Sequence, residues 1–268
     1  MGRIGSLEPV MAKFRSFIIT MKDREDHAKA ILNRLCDFGS YATIVEAVDG
    51  QSISDDAFNR LVGRHVNCRK SKRLMSKGEL GCWLSHKKAW RELGKDTADF
   101  AFIFEDDVII IDDLTPIANA LERMEGWDIV KLYRKKTRRP LFKRPIGDGL
   151  ALTASFSATS GTFAYAIRRE VAERLDKSHE QYQSPIDVEF RFRSRNRIRV
   201  LDCSEDLVIH DPNSRSTIEP HRSLQRTQFK EEDRVWKLLC NAIHFFSTLY
   251  DNSKYFLFHE YRSAESLE

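Results

Sequence analysis

The chain has 268 residues, 41% hydrophobic, 10% aromatic and 31% charged, with a formal net charge of +4. That is ample apolar material for one large domain with an appendage, and too mild a basic excess to argue by itself for nucleic acid. No uninterrupted apolar run reaches about 18 residues and no secretory leader pattern opens the chain, so the expectation is a cytoplasmic protein without a membrane-spanning helix.

Residues 1–12 lack periodicity and are set aside as leader or disordered sequence. Phe14 to Thr20 predicts a first strand. A turn follows, with Asp23 placed to cap a helix running to about Phe38, on which Ala28, Ile31, Leu32 and Leu35 share a face. Tyr41 to Val48 predicts a second strand, and strand–helix–strand predicts a parallel sheet. Residues 51–77 are polar and weakly periodic, and a helix is expected from about Ser76 to Leu93. An acid-tipped strand follows, then a helix over Leu114 to Met124 and a strand over Trp127 to Tyr133. The basic stretch to Arg144 and the loop to Ala154 are candidates for a flexible lid. Thr162 to Ile167 predicts a strand, Arg169 to Lys177 a helix, Pro185-Ile186-Asp187 a further helix start, and Ile198 to Leu201 and Leu207 to His210 short strands. From Glu231 onward, apolar residues recur at helical spacing. Cys36, Cys68, Cys82, Cys203 and Cys240 are odd in number with no C-x-x-C spacing, which argues against a disulfide framework or structural zinc and fits a reducing compartment.

The most informative stretch is Phe100-Ala101-Phe102-Ile103-Phe104-Glu105-Asp106-Asp107-Val108-Ile109-Ile110-Ile111. Three ionised groups inside a buried strand would each cost several kcal/mol without a compensating cation, so the strand is expected to deliver them to a rim. Ligands of open α/β sheets collect at the carboxyl ends of strands, and hard oxygen donors there suit Mg or Mn together with substrate phosphates. The bland alternative is a solvated acidic turn.

Some twenty residues earlier runs Gly78-Glu79-x-Gly81-Cys82-x-x-Ser85-His86. Its glycines permit close backbone approach near a helix start, and its polar groups alone fit helix capping and a core histidine equally well. Together with Phe104-Glu105-Asp106-Asp107-Val108 the segment resembles the family 25 glycosyltransferases of lipooligosaccharide biosynthesis. Ile18-Ile19-Thr20 with Arg24, Ala47-Val48-Asp49-Gly50, Trp127-Asp128-Ile129-Val130, Gly161-Thr162-x-Ala164-Tyr165 and Pro185-Ile186-Asp187 agree in the same order. Thr20 stands where the family carries Asn.

The resemblance implies an α/β protein of GT-A fold: a Rossmann-like, mostly parallel sheet flanked by helices over residues 13–217, with a helical extension over 218–262 and a tail at 263–268. It implies a nucleoside-diphosphate sugar donor, commonly UDP-galactose, held through Mn2+ or Mg2+. It also implies inversion at the anomeric carbon and a glycolipid or oligosaccharide acceptor, placing the protein in the cytoplasm or at the inner face of the inner membrane. Strand alternation would put Glu105 and Asp107 on one side. Asp107 is therefore the expected principal metal ligand, Glu105 a second ligand or ribose contact, and Asp106 a structural or donor-side residue. His210, at the tip of Leu207-Val208-Ile209, is the third expected ligand. Asp187 is the candidate base for the acceptor hydroxyl, with Glu189 in reserve. Thr20, Arg24, Asp49, Glu79, Ser85 and His86 are the remaining expected donor-side residues.

Two other classes fit part of this pattern. One is a phosphoryl-transfer or nucleotide-cleaving enzyme using the same acidic tip. The other is a nucleic-acid-binding module built on the basic run from Lys131 to Arg144 and the alternating Arg191, Arg193, Arg195, Arg197 and Arg199. The latter lacks the interleaved aromatics that stack on bases, so no nucleic-acid partner is expected. The aromatic C-terminus (Trp236, Phe245, Phe246, Tyr250, Tyr255, Phe256 and Phe258) is expected to pack on the domain, with peripheral membrane contact as the alternative.

Overall fold

A computed structural model describes residues 14–38, 40–62, 71, 74–134, 139–178, 180–214 and 234–258. The expected leader, the tail and the basic positions Lys135, Lys136 and Arg138 lie outside the described residues.

The chain opens with β1 (Phe14–Thr20), α1 (Glu25–Asp37) and β2 (Ala42–Glu46), the two strands running parallel. Asp23 sits in a 3-10 turn, Lys22–Arg24, ahead of α1 and does not cap it. There follow α2 (Asp55–Val62), α3 (Lys77–Lys95), β3 (Phe100–Glu105), β4 (Val108–Ile110) and α4 (Thr115–Arg123). Next come β5 (Ile129–Lys131), β6 (Pro140–Gly147), β7 (Leu150–Ser155), β8 (Ala164–Arg168) and α5 (Arg169–Ser178). The last elements are α6 (Ile186–Glu189), α7 (Arg193–Asn196), β9 (Val200–Cys203), β10 (Val208–His210) and α8 (Arg234–Phe258).

Eight strands form one sheet in the order β2-β1-β3-β8-β5-β9-β7-β6, while β10 pairs with β4 in a small second sheet. The sheet is mixed. β1 is parallel to β2 and β3, and β5 to β9; β8 is antiparallel to both of its neighbours, as are β6 and β7 to theirs. Because side chains alternate, β3 feeds two cores. Phe100, Phe102 and Phe104 join Ile18, Ile31 of α1 and Ile117 and Leu121 of α4, whereas Ala101 and Ile103 join Trp83 and Trp90 of α3 on the other face. Each buried Phe contributes about 2 kcal/mol of apolar burial, so this strand is a rigid post beneath the acidic tip.

Four expectations are corrected here. The stretch read as a lid is instead the β6–β7 hairpin at the sheet edge, turned by Asp148 (φ 50) and Gly149 (φ 74), residues suited to left-handed backbone. Pro140, Pro145, Lys143 and Arg144 hid its strand period, and an edge strand tolerates all four. β3 stops at Glu105 and Asp106–Asp107 form a turn, so the alternation used to pair Glu105 with Asp107 does not persist. Cys240 is disulfide-bonded, against the expectation of thiols throughout.

The fourth correction concerns the C-terminal helix. α8 packs through its polar side, burying Cys240, His244, Asp251 and Asn252 together with Tyr255, and leaves Trp236, Phe245, Phe246 and Tyr250 exposed. Two members of the arginine comb are structural. Arg193 is fully buried, donating to the Ser155 and Phe156 carbonyls, and Arg199 pairs with Asp128 at 3.1 Å.

Candidate active site

The first turn of α3 is fixed by a capping box: Ser76 Oγ accepts from the Glu79 amide (3.2 Å), and Glu79 Oε2 accepts from the Ser76 amide (2.9 Å). Glu79 is thus engaged by its own helix. Gly81 meets the loop after β2 backbone to backbone, and a Cβ there would lie 2.6 Å from the Val48 carbonyl oxygen. Ser85 Oγ accepts from the Val48 amide (2.8 Å) and donates to the Gly81 carbonyl (2.7 Å), stitching the same junction. Asp49, exposed, accepts from the Gln51 amide (2.8 Å). Two of the sequence motifs therefore clasp each other, and this contact sets where α3 lies against the sheet.

One turn further along α3, His86 is buried behind the acidic tip. Trp90 Nε1, which can only donate, gives its proton to Tyr165 Oη at 3.0 Å. The Tyr165 hydroxyl in turn pairs with His86 Nδ1 (2.9 Å), and His86 Nε2 faces Glu105 Oε1 at 3.2 Å. Thr162 Oγ1 donates to that same oxygen at 2.8 Å. Burial works to raise the Glu105 carboxyl, but these donors and the positive charge that His86 can carry hold it below the usual carboxylate range. With Oε1 doubly served, Oε2 is the oxygen left for a ligand.

Asp106 turns the other way. Its carboxylate accepts from Thr20 Oγ1 (2.8 Å) and pairs with Arg24 (3.2 Å), whose guanidinium also donates to Ser214 Oγ (2.5 Å). Thr20, Arg24 and Asp106, all expected on the donor side, thus engage one another and brace the acidic turn from behind. Asp107 faces forward, its Oδ2 lying 2.9 Å from His210 Nε2 at the tip of β10. The Asp107 backbone is tied as well, since its carbonyl accepts from the Asp211 amide (2.8 Å). Its Oδ1 is buried without a hydrogen-bond partner. Burial, then the nearby charge of Glu105, push the Asp107 carboxyl up to about 6, against the pull of His210.

A second wall stands opposite. Asp187, in α6, accepts from the Gly161 amide (3.3 Å), and Gly161 takes a φ of +91 that suits glycine. Lys131, at the end of β5, is fully buried and donates to the Thr159 carbonyl (2.7 Å) and to that of Gly161. Burial lowers its ammonium to about 8 in spite of attraction from Asp202 and Asp187. The charges of Glu105 and Asp187 both bear on Tyr133 and on Cys82, which sets the two carboxylates in the same neighbourhood of the fold. Glu189, the reserve base, is buried and held by Ser184 Oγ (2.5 Å) and Asn196 Nδ2 (3.0 Å).

Sequence reasoning missed Lys131, Thr162, Tyr165 and Trp90. Lys131 had one visible signal, a lone cation within the apolar Ile129-Val130-Lys131-Leu132-Tyr133. The hydrogen-bond chain from Trp90 had none, because it joins α3 to a strand 75 residues away.

The donor types suit a hard divalent cation: an unpartnered buried oxygen on Asp107, the His210 imidazole 2.9 Å from the other Asp107 oxygen, and the Glu105 carboxylate nearby. Among the described residues, the three whose ligand atoms all lie within 4.8 Å of one another are Cys82, His86 and Glu105. The Cys82 thiol, however, is pushed well above its usual range by burial and by Glu105 and Asp187, and so stays protonated.

The family model for glycosyltransferase family 25 (LPS biosynthesis protein) matches residues 14–189. The chain belongs to glycosyltransferase family 25. An inactive glycosyltransferase 25 family member 3 from Homo sapiens is 28% identical over 167 residues, covering 59% of this chain and 28% of that protein. Procollagen galactosyltransferase 2 from Mus musculus is 26% identical over 167 residues, covering 59% and 27%. The chain therefore spans less than a third of the length of either relative. A mannosyltransferase from Pyrobaculum calidifontis superposes with a TM-score of 0.43 at 10% identity, over 95% of this chain and 78% of that one, a likeness too distant to carry an argument. Within the family 25 match lie Glu105, Asp107 and Asp187, while His210 falls beyond it.

Proposed function

We propose that this family 25 chain is a metal-dependent inverting glycosyltransferase. In this reading it moves a hexose, galactose in the first instance, from a nucleoside-diphosphate sugar such as UDP-galactose to a bacterial lipooligosaccharide or related glycolipid. One observation carries the proposal: a buried carboxylate oxygen on Asp107 with no partner, beside Glu105 and His210, at the carboxyl ends of the strands.

Glu105, Asp107 and His210 would hold Mn2+ or Mg2+. When bound, that cation supplies electrostatic neutralisation of the departing diphosphate. The other roles belong to the protein. His86 and Thr162 fix Glu105 in one orientation through Oε1. The Thr20–Asp106–Arg24 clamp holds the turn so that Asp107 faces forward.

Inversion needs a single displacement. The acceptor oxygen bonds to the anomeric carbon as the bond to the nucleoside diphosphate breaks, and the hydroxyl proton passes to a base on the acceptor side. Asp187 is that base. The Gly161 amide fixes its Oδ2, which leaves Oδ1 for the acceptor hydroxyl, and the buried Lys131 ammonium gives the carboxylate a cationic neighbour.

Calorimetric titration with a panel of nucleotide sugars, with and without Mn2+, tests the proposal. UDP-galactose should bind with metal and lose most of that affinity without it or in Asp107→Asn. Equal donor affinity with and without metal, in both wild type and variant, would defeat the assignment.

A further inference from the structure

α8 is an amphipathic helix mounted the wrong way round for packing. Its polar side is the anchored one. Asp251 accepts from the amides of Ser194 (3.2 Å) and Arg195 (2.8 Å), and Asn252 Oδ1 accepts from Arg193 (3.2 Å). The Arg193 guanidinium lies over Tyr255 at 4.3 Å, and Phe256 stacks on Phe156 at 6.1 Å.

Its apolar side faces outward. Val235, Leu238, Leu239, Phe245, Phe246 and Leu249 are all exposed, Leu238 by 69% and Phe246 by 64%. At about 100° per residue they span, with Trp236 and Tyr250 at one flank, about half of the helix circumference. No ionised side chain falls between Leu238 and Tyr250, His244 being buried. A cation stands beside the stripe: Arg195 is exposed and donates to Ser247 Oγ (3.1 Å); Arg197, two residues on, is exposed as well.

A smooth apolar half-cylinder of aromatic and Leu residues with Arg at its edge matches an interfacial helix on an anionic bilayer. Spanning is excluded for the described residues, since no helix there is long and apolar enough to cross a membrane. A second copy of the chain fits less well. A helix–helix seam is narrower, and Leu239 and Phe246 stand where charged flanking residues would set the pairing.

We propose that α8 docks the protein on a lipid surface carrying anionic headgroups. The docking itself does not rest on the transferase reading, because it is read without donor or metal.

Co-sedimentation with phosphatidylcholine vesicles, with and without phosphatidylglycerol, tests it. Wild type should sediment with the anionic vesicles. The pair Phe245→Ser/Phe246→Ser, both exposed, should weaken binding at least about tenfold while circular dichroism and melting stay unchanged. The pair Arg195→Gln/Arg197→Gln should abolish the preference for phosphatidylglycerol. Three results would overturn the proposal: no vesicle binding by wild type, binding unaffected by the Phe pair, or light scattering showing a dimer that the Phe pair makes monomeric. UDP-galactose calorimetry on the same proteins reports separately on the transferase reading.

Discussion

Lys131 gives a prediction whose size follows directly from its surroundings. Its ammonium is fully buried and titrates near 8 rather than at the usual 10.5. At 1.36 kcal/mol for each pH unit, that displacement corresponds to about 3 kcal/mol. Below about pH 8 both folded and unfolded chains keep the proton, so the destabilisation from burying the charge is constant. Above it the folded chain releases the proton while the unfolded chain keeps it to near 10.5, so the unfolded state binds more protons and the site's contribution to stability rises with pH. Replacement by Met, similar in length and uncharged, removes this dependence. Urea unfolding of wild type and Lys131→Met across this range should show wild-type stability, relative to the variant, climbing by about 3 kcal/mol between pH 7.5 and 10.5. Taking the difference cancels Tyr165 and Cys82, which are buried and neutral in both proteins. A flat difference would mean that Lys131 titrates normally, and the argument that it stands desolvated beside Asp187 would fail.

Three further outcomes are expected. Asp187→Asn should lower turnover about 10²- to 10⁴-fold while donor affinity measured by calorimetry stays within about twofold of wild type, since the base proposed here serves the acceptor hydroxyl. Gly81→Ala forces a Cβ to within 2.6 Å of the Val48 carbonyl oxygen and should cost about 1–3 kcal/mol in chemical denaturation, with an unchanged melt refuting the clasp. Arg193→Met removes a fully buried cation bonded to Ser155, Phe156 and Asn252, and should destabilise by about 3–5 kcal/mol, with limited proteolysis reporting early release of α8.

The alternating and periodic parts of the fold were legible because they follow from single-segment patterns. The Phe14–Thr20 strand, the apolar face of α1 and the Phe100–Phe104 strand all announce burial in their own residues. Asp107 and His210 were also legible, as polar residues at the edges of apolar runs, and the structure brings them within 2.9 Å of each other. What could not be read depends on distant partners. Asp106, expected as a structural or donor-side residue, is drawn backward by Thr20, 86 residues away, and by Arg24. The hairpin at Pro140–Ser155 was obscured by prolines and charges that only an edge position permits. The outward face of α8 reversed the usual rule that an apolar stripe marks the core.

The division of labour in Glu105-Asp106-Asp107 bears on redesign. The middle acid is the fixed pivot, tied to Arg24 and through it to Ser214, while Glu105 reaches to His86 and Asp107 to His210. Loosening that pivot would release Asp107 more than Glu105, whose Oε1 is held separately by His86 and Thr162. Under the transferase proposal, changes of sugar preference are better sought around Gly161 and Asp187, where substitutions leave the bonds of the three acids intact.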